Sequence, residues 1–210
     1  MKSAGAWLDG VDEILAGNSA MVLSRPPGHH AETDRAMGFC LFSNAALAAT
    51  YSLKQDNIKK VAIFDWDVHH GNGTQNIVQS NPNIAYCSIH QFPFYPGTGS
   101  QLERGDFNNV LNIPVPAGYG SIEYKSIFDE QVFSFIKNFS PNLLIISAGF
   151  DAHRRDPLAG INLENEDYAY MARQCLKIHS NILIGLEGGY DLKALQNSTQ
   201  RHVDALLEFN

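Results

Sequence analysis

Cysteine is scarce in this chain and badly spaced for a structural role. The three present, Cys40, Cys87 and Cys175, form no C-x-x-C pair and leave one over if two are bridged. That argues against a disulfide framework and for a reducing compartment in which the thiols are free and buried. Positive charge is short as well: 15 Lys and Arg against 22 Asp and Glu give a formal net charge of -7 and a pI near 5.5. That balance argues against a general affinity for nucleic acid or for an anionic membrane, both of which reward clustered Lys and Arg. No apolar run reaches membrane-spanning length, and the opening MKSAGAWLDGVDEILAGNSA places Asp and Glu where a signal peptide needs an unbroken apolar core. The expected compartment is therefore cytoplasmic. Internal repeats and low-complexity tracts are lacking. No Ser or Cys sits in a nucleophile setting such as G-x-S-x-G, so no covalent enzyme intermediate is expected.

What the chain does have is a regular alternation of two hydrophobic periods. Short runs rich in Val, Ile and Leu read as strands: AMVLS (20–24), KVAIFD (60–65), IAYCSI (84–89), VLNIPV (110–115), NLLIISA (142–148) and NILIGLE (181–187). Between them, near 5–16, 42–54, 74–80, 121–138, 165–179 and 191–208, apolar residues recur at three- and four-residue intervals, the spacing of helices. Strands that are apolar throughout and separated by helices predict an α/β fold, with one mainly parallel sheet covered on both faces. A chain of 210 residues is long enough for one well-buried core, and a single domain over 1–210 is expected.

Glycine and proline clusters mark loops at RPPGHH, GNG, QFPFYPGTGS, PVPAGYG, RRDPLAG and EGGYD, several of them directly after a strand. In open α/β sheets the ligand crevice lies beyond the carboxyl ends of the strands. At those ends the sequence puts His29 and His30, the stretch DVHHGN, Asp151 and Tyr190, each after a different strand. Asp67 and His69 are two residues apart, so on extended chain they share one side while Trp66 and Val68 take the other. With Asp151 as the best candidate for a third ligand, they offer one nitrogen and two carboxylates to a metal that keeps an open position. Zinc suits that set, and iron(II) or cobalt would also fit. His29 and His30 are two imidazoles suited to proton transfer beside an activated water. Asp65 and Asn72 are close enough in sequence to fix their tautomers. Tyr190, after two glycines, is placed to hydrogen-bond an oxyanion. The aromatic set Phe39, Phe92, Phe94 and Tyr95 is either plain core or the wall of a narrow apolar tunnel.

These segments resemble the zinc-dependent histone deacetylase and deacetylase-like amidohydrolase family, in its class II or bacterial branch. The resemblance rests on RPPGHHA (25–31), GFCLFSN (38–44), DWDVHHGNGTQ (65–75), SIHQFPFYPGTG (88–99), SAGFDAHRRDPLAG (147–160) and LEGGYD (186–191), in that order along nearly the whole chain. It implies an arginase/deacetylase-like three-layer fold. The implied activity is removal of acetyl or other acyl groups from lysine side chains or related acylated amines by a metal-activated water. By position it implies Asp67, His69 and Asp151 as ligands of one zinc ion. It makes His30 the proton-transferring residue, oriented by Asn72, and His29, paired with Asp65, its mainly electrostatic partner. Tyr190 would polarise the acyl oxygen, and Gly38, Phe39 and Phe94 or Tyr95 would line the tunnel that grips a lysine stem. A structural potassium ion near Asp65, Asp67, His69 and Ser88 is implied as well.

Leu158 stands where polyamine-selective members of that family carry an acidic residue. An acylated lysine peptide or protein is therefore the expected substrate, with a small acylated amine such as an acetylpolyamine as the alternative. Family domains are longer at both ends, so the chain reads as one catalytic domain lacking the usual N-terminal strand and helices and part of the C-terminal region. A non-catalytic metal-binding module stays open on those grounds. Ureohydrolase chemistry on the related arginase fold would need two metals and a denser carboxylate set than DVHHGN offers. Association into a homo-oligomer is left open, and neither nucleic acid nor membrane is an expected partner.

Overall fold

The computed structural model describes residues 1–180 and 182–208; Asn181, at the head of the last expected strand, and residues 209–210 lie outside the described residues. In chain order the elements are α1 (Lys2–Leu15), β1 (Ala20–Val22), α2 (Asn44–Ser52), β2 (Val61–Asp65), α3 (Asn72–Val78), β3 (Ile84–Gln91), β4 (Val110–Val115), α4 (Ser121–Ile127), α5 (Phe133–Phe139), β5 (Leu143–Ala148), α6 (Asn165–Ile178), β6 (Ile182–Leu186) and α7 (Leu192–Leu207). Each expected strand and helix is present. The helix expected over 121–138 is α4 and α5 joined by a π-helical turn, Phe128–Val132. Tyr124, Phe128, Val132 and Ile136 are all buried at four-residue spacing. An α-helical stripe of that spacing drifts by roughly 40° per step. The wider π turn takes up the extra residue and keeps all four on the core face.

The six strands pair in parallel throughout, in the order β1-β6-β5-β2-β3-β4. Alternation along each strand divides its side chains between two cores. Val61, Ile63, Ile145 and Leu183 face the side covered by α1 and α2, where Trp7, Val11 and the small Ala45, Ala46, Ala48 and Ala49 pack close to the sheet. Ala62, Phe64, Leu144, Ile146 and Ile184 face the other side, against Phe128, Val132, Ile136, Tyr168, Ala172 and Ala205 of the later helices. This is the three-layer arrangement expected from strands that are apolar on both faces. Each fully buried Leu, Ile or Phe contributes roughly 1.5–3 kcal/mol, so the two cores hold the strand ends in fixed register.

The strand order also locates the crevice. From β2 the chain moves outward through β3 to β4, then returns to place β5 on the opposite side of β2. Helical connections therefore diverge from the β2–β5 boundary, and their loops leave a gap beyond the carboxyl ends of those two strands. Among the described residues no helix is long and apolar enough to cross a membrane.

Candidate active site

The gap beyond β2 and β5 is where the sequence-predicted residues meet. Past Asp65 the extended alternation continues: Trp66 and Val68 turn into the core beneath the sheet, and Asp67 and His69 turn toward the gap. Asp151 enters from the loop after β5. One ligand atom from each of Asp67, His69 and Asp151 lies within 4.8 Å of the others, and all three residues are buried. Backbone donors aim the carboxylates: Gly188 N–H donates to Asp67 Oδ2 at 2.8 Å, and Val68 N–H to Asp151 Oδ1 at 2.9 Å. Gly188 is required here, because a Cβ at that position would run into the carboxylates of Asp151 and Asp67.

His69 Nδ1 sits 3.1 Å from Asp67 Oδ1 and 3.0 Å from Asp151 Oδ2. Burial opposes a charge on His69, yet the hydrogen bonds and charges of Asp151 and Asp67 outweigh it and raise its pKa to about 10. Burial and the adjacent Asp67 charge push Asp151 up to about 7. Two buried carboxylates that draw a proton onto the imidazole between them form a site that calls for positive charge. One nitrogen and two oxygens in that arrangement fit a divalent cation such as zinc.

The two neighbouring histidines lie beside this group in unlike settings. Burial works against a charged His29, but Asp67 and Asp65 raise its pKa well above the ordinary value. Its Nδ1 lies 3.1 Å from Asp65 Oδ2, which also accepts from the Tyr86 hydroxyl at 3.1 Å. His30 is held down at about 3 by burial and by the charge on His29. Its Nδ1 lies 2.8 Å from Asn72 Oδ1, so the proton of neutral His30 belongs on Nδ1 and Nε2 keeps a free lone pair. The pairings expected from sequence, His29 with Asp65 and His30 with Asn72, are both formed.

Above this floor opens a cleft of about 470 Å³ lined by His30, Gly38, Phe39, His69, Phe94, Tyr95, Leu158 and Tyr190. Phe94 stacks on His69 with ring centroids 5.3 Å apart, and Tyr95 meets His30 edge-on at 5.1 Å. Phe39 and Tyr190 face each other with centroids 6.3 Å apart. Phe94 and Tyr95 thus both line the cleft. Phe92 is the exception: it leaves β3 by donating its N–H to Val115 O at 2.8 Å and is not among the lining residues. Phe39 has φ of 65°, a left-handed backbone that costs a non-glycine residue about 1–2 kcal/mol. A large aromatic side chain held there, 70% exposed, is strain of the sort that clusters at ligand clamps.

Three carboxylates escaped the sequence reading. Glu187 is buried and accepts from Gly28 N–H at 2.7 Å, His29 N–H at 3.1 Å and the Ser147 hydroxyl at 3.1 Å, pinning the histidine loop to the ends of β5 and β6. Burial, only partly offset by His29, raises its pKa to about 7. The signal was there: a carboxylate closing an apolar run is expensive unless partnered. Asp156 accepts from the backbone N–H of Leu158 at 2.9 Å and of Tyr190 at 2.8 Å, fixing two wall residues together. Glu32 accepts from Asn72 Nδ2 at 2.6 Å.

Comparison with known proteins supplies the family. The histone deacetylase domain matches residues 1–206. An uncharacterized protein of Synechocystis, slr0245, is 50% identical over 204 residues, covering 96% of this chain and 67% of that one. Histone deacetylase 10, chloroplastic, of Oryza sativa is 39% identical, with 93% of this chain and 48% of that protein covered. For histone deacetylase 14, chloroplastic, of Arabidopsis thaliana the identity is 37% and the shares are 98% and 52%. The chain thus spans about half the length of these two plant relatives. Among solved structures, the crystal structure of the HDA15 HD domain superposes with a TM-score of 0.95 at 40% identity, covering 98% of this chain and 60% of that one. A domain match over nearly the full sequence, together with relatives this similar, establishes that the chain belongs to the histone deacetylase domain family.

Proposed function

We propose that residues 1–210 act as one catalytic unit, a zinc-dependent amidohydrolase that removes acetyl or related acyl groups from lysine side chains. The observation that carries this reading is the convergence of Asp67, His69 and Asp151, the histidine lining a cleft walled by aromatic side chains, beside a neutral His30. Zinc held by those three residues would supply the Lewis acid that polarises the acyl carbonyl and lowers the pKa of an attacking water.

The remaining work falls to side chains. His30 takes the water's proton at Nε2, which the Nδ1–Asn72 bond leaves unprotonated. His29, held charged by Asp65 and Asp67, keeps His30 from protonating too early and stabilises the negative charge that develops nearby. The Tyr190 hydroxyl stays protonated, because burial and then the Asp67 and Asp151 charges raise its pKa, so it can donate to the oxyanion. Protonated His30 then returns its proton to the leaving amine. Phe39, Phe94 and Tyr95 with Gly38 grip an apolar methylene stem and exclude water. Leu158 puts an apolar wall, without a carboxylate, at the mouth, which supports acyl-lysine over an acetylpolyamine. A potassium ion near Asp65, Asp67, His69 and Ser88 is part of the same proposal. Three free, buried cysteines accord with a reducing compartment.

The test is hydrolysis of a fluorogenic acetyl-lysine peptide by the purified chain, with zinc measured in parallel. His30→Ala is expected to lower turnover about 10²- to 10⁴-fold with zinc retained. Unchanged turnover in that variant removes the assigned base. A folded, zinc-loaded wild type without activity points to a binding module.

A further inference from the structure

The geometry points to Glu32 as a positioning residue that selects the tautomer of His30 through the side-chain amide of Asn72. This rests on the deacetylase reading, since it assigns how the base of that reaction is kept in its working form. Asn72 opens α3, and its side chain is buried between the histidine loop and the segment carrying Glu32 and Met37. A carboxamide can sit in either of two orientations that differ only in which end carries oxygen. For His30 the difference is decisive. With Oδ1 toward the imidazole, the ring proton is held on Nδ1 and Nε2 is a base; with the NH2 group there, Nδ1 must accept, the proton moves to Nε2, and the lone pair needed for catalysis is lost.

The partners on the other end of Asn72 decide between these states. Glu32 Oε1 accepts from Nδ2 at 2.6 Å, a short charge-assisted bond. Nδ2 also lies 3.5 Å from His30 O and 3.3 Å from Met37 Sδ, the first at the limit of hydrogen bonding and the second a weak acceptor. A carboxylate accepts and never donates, so a flipped amide would set carbonyl oxygen against carboxylate oxygen at contact distance. Glu32 therefore decides the orientation, although it does not line the cleft. Its side chain lines instead a separate polar pocket, with Asn72, His70, Gln75 and Glu103.

The direct readout is ¹⁵N NMR of histidine-labelled protein, which distinguishes a protonated Nδ1 from a protonated Nε2 at His30 without any need for turnover. Wild type is expected to show Nδ1–H and Glu32→Ala predominantly Nε2–H. In kinetics, Glu32→Ala is expected to lose roughly 10- to 100-fold in kcat with KM within about twofold and zinc retained. Glu32→Gln, whose amide can accept from or donate to Asn72 and so satisfies either orientation, is expected to lose the selection as Glu32→Ala does, whereas Glu32→Asp, which keeps an acceptor-only carboxylate, is expected to recover part of it. Asn72→Asp provides the control for a merely structural role, because a carboxylate accepts from His30 by either oxygen and needs no orienting partner. In that background Glu32 faces a like charge, so removing it is expected to raise turnover rather than lower it. An unchanged Nδ1–H signal in Glu32→Ala, or the same loss of kcat in both backgrounds, overturns the proposal. If wild type fails to hydrolyse the acetyl-lysine probe, the deacetylase reading falls, and the NMR comparison still decides whether Glu32 sets the tautomer.

Discussion

At the floor of the cleft Asp67 and Asp151 are fully buried and each of their oxygens meets a backbone N–H or His69, whereas at the mouth Phe39 is 70% exposed and Tyr95 and Leu158 nearly half so. A change at the floor strands a buried charge or an unpaired N–H, a penalty of roughly 1–3 kcal/mol or more for each group. A change at the mouth alters contacts that water can replace. The floor thus tolerates one chemistry, and the mouth is where substrate preference can vary at little expense to the fold.

The largest expected effect separates the two regions outright. Asp151→Ala removes a ligand and leaves the Val68 N–H and His69 Nδ1 without their acceptor. Its zinc affinity should fall by more than the roughly 100-fold typical of losing a residue that only orients a ligand. Metal analysis after dialysis checks this, and one zinc per chain in the variant would break the assignment.

A second contrast is in pH. Metal ligands bind deprotonated, so binding must displace the protons that the metal-free site holds. Burial and the Asp67 charge raise Asp151, and the two carboxylates outweigh burial and raise His69, so the metal-free site holds protons near neutral pH that a bound cation must displace. Zinc affinity should therefore rise with pH, by about tenfold per unit for each proton displaced. Titration calorimetry in buffers of different ionisation enthalpy counts those protons. A flat affinity between about pH 6 and 8 would contradict a floor that stores them.

The smallest effect belongs to the mouth. Phe39→Gly relieves a left-handed backbone at the expense of chain entropy, for a net stability gain of up to about 1 kcal/mol. It also removes one wall of the grip, so KM should rise about tenfold while kcat changes little. Urea unfolding and steady-state kinetics read the two halves. A destabilised variant with unchanged KM would mean that Phe39 serves the fold rather than the ligand.

Much of the site was legible because its spacing is local. Two-residue alternation put Asp67 and His69 on one side, and position after a strand flagged His29, His30, Asp151 and Tyr190. The partners of the supporting carboxylates were not legible, since nothing near Glu187 or Glu32 in sequence reveals them. Glu187 reaches Gly28 across 159 residues, and Glu32 reaches Asn72 across 40. For Phe92 the sequence left core and wall both open, and only the structure shows that its neighbours Phe94 and Tyr95 line the cleft while it does not.

By itself the amino-acid order determined the alternating α/β architecture, the chemistry available at each strand end and the side of the chain on which each group emerges. These follow from periods of two and about 3.6 residues and need no distant contact. Only the tertiary structure decided that β5 lies beside β2, bringing Asp151 against His69 across 82 residues. It likewise decided which buried carboxylate holds which loop, because the pairing of groups far apart in the chain is fixed by how two cores close on a shared sheet.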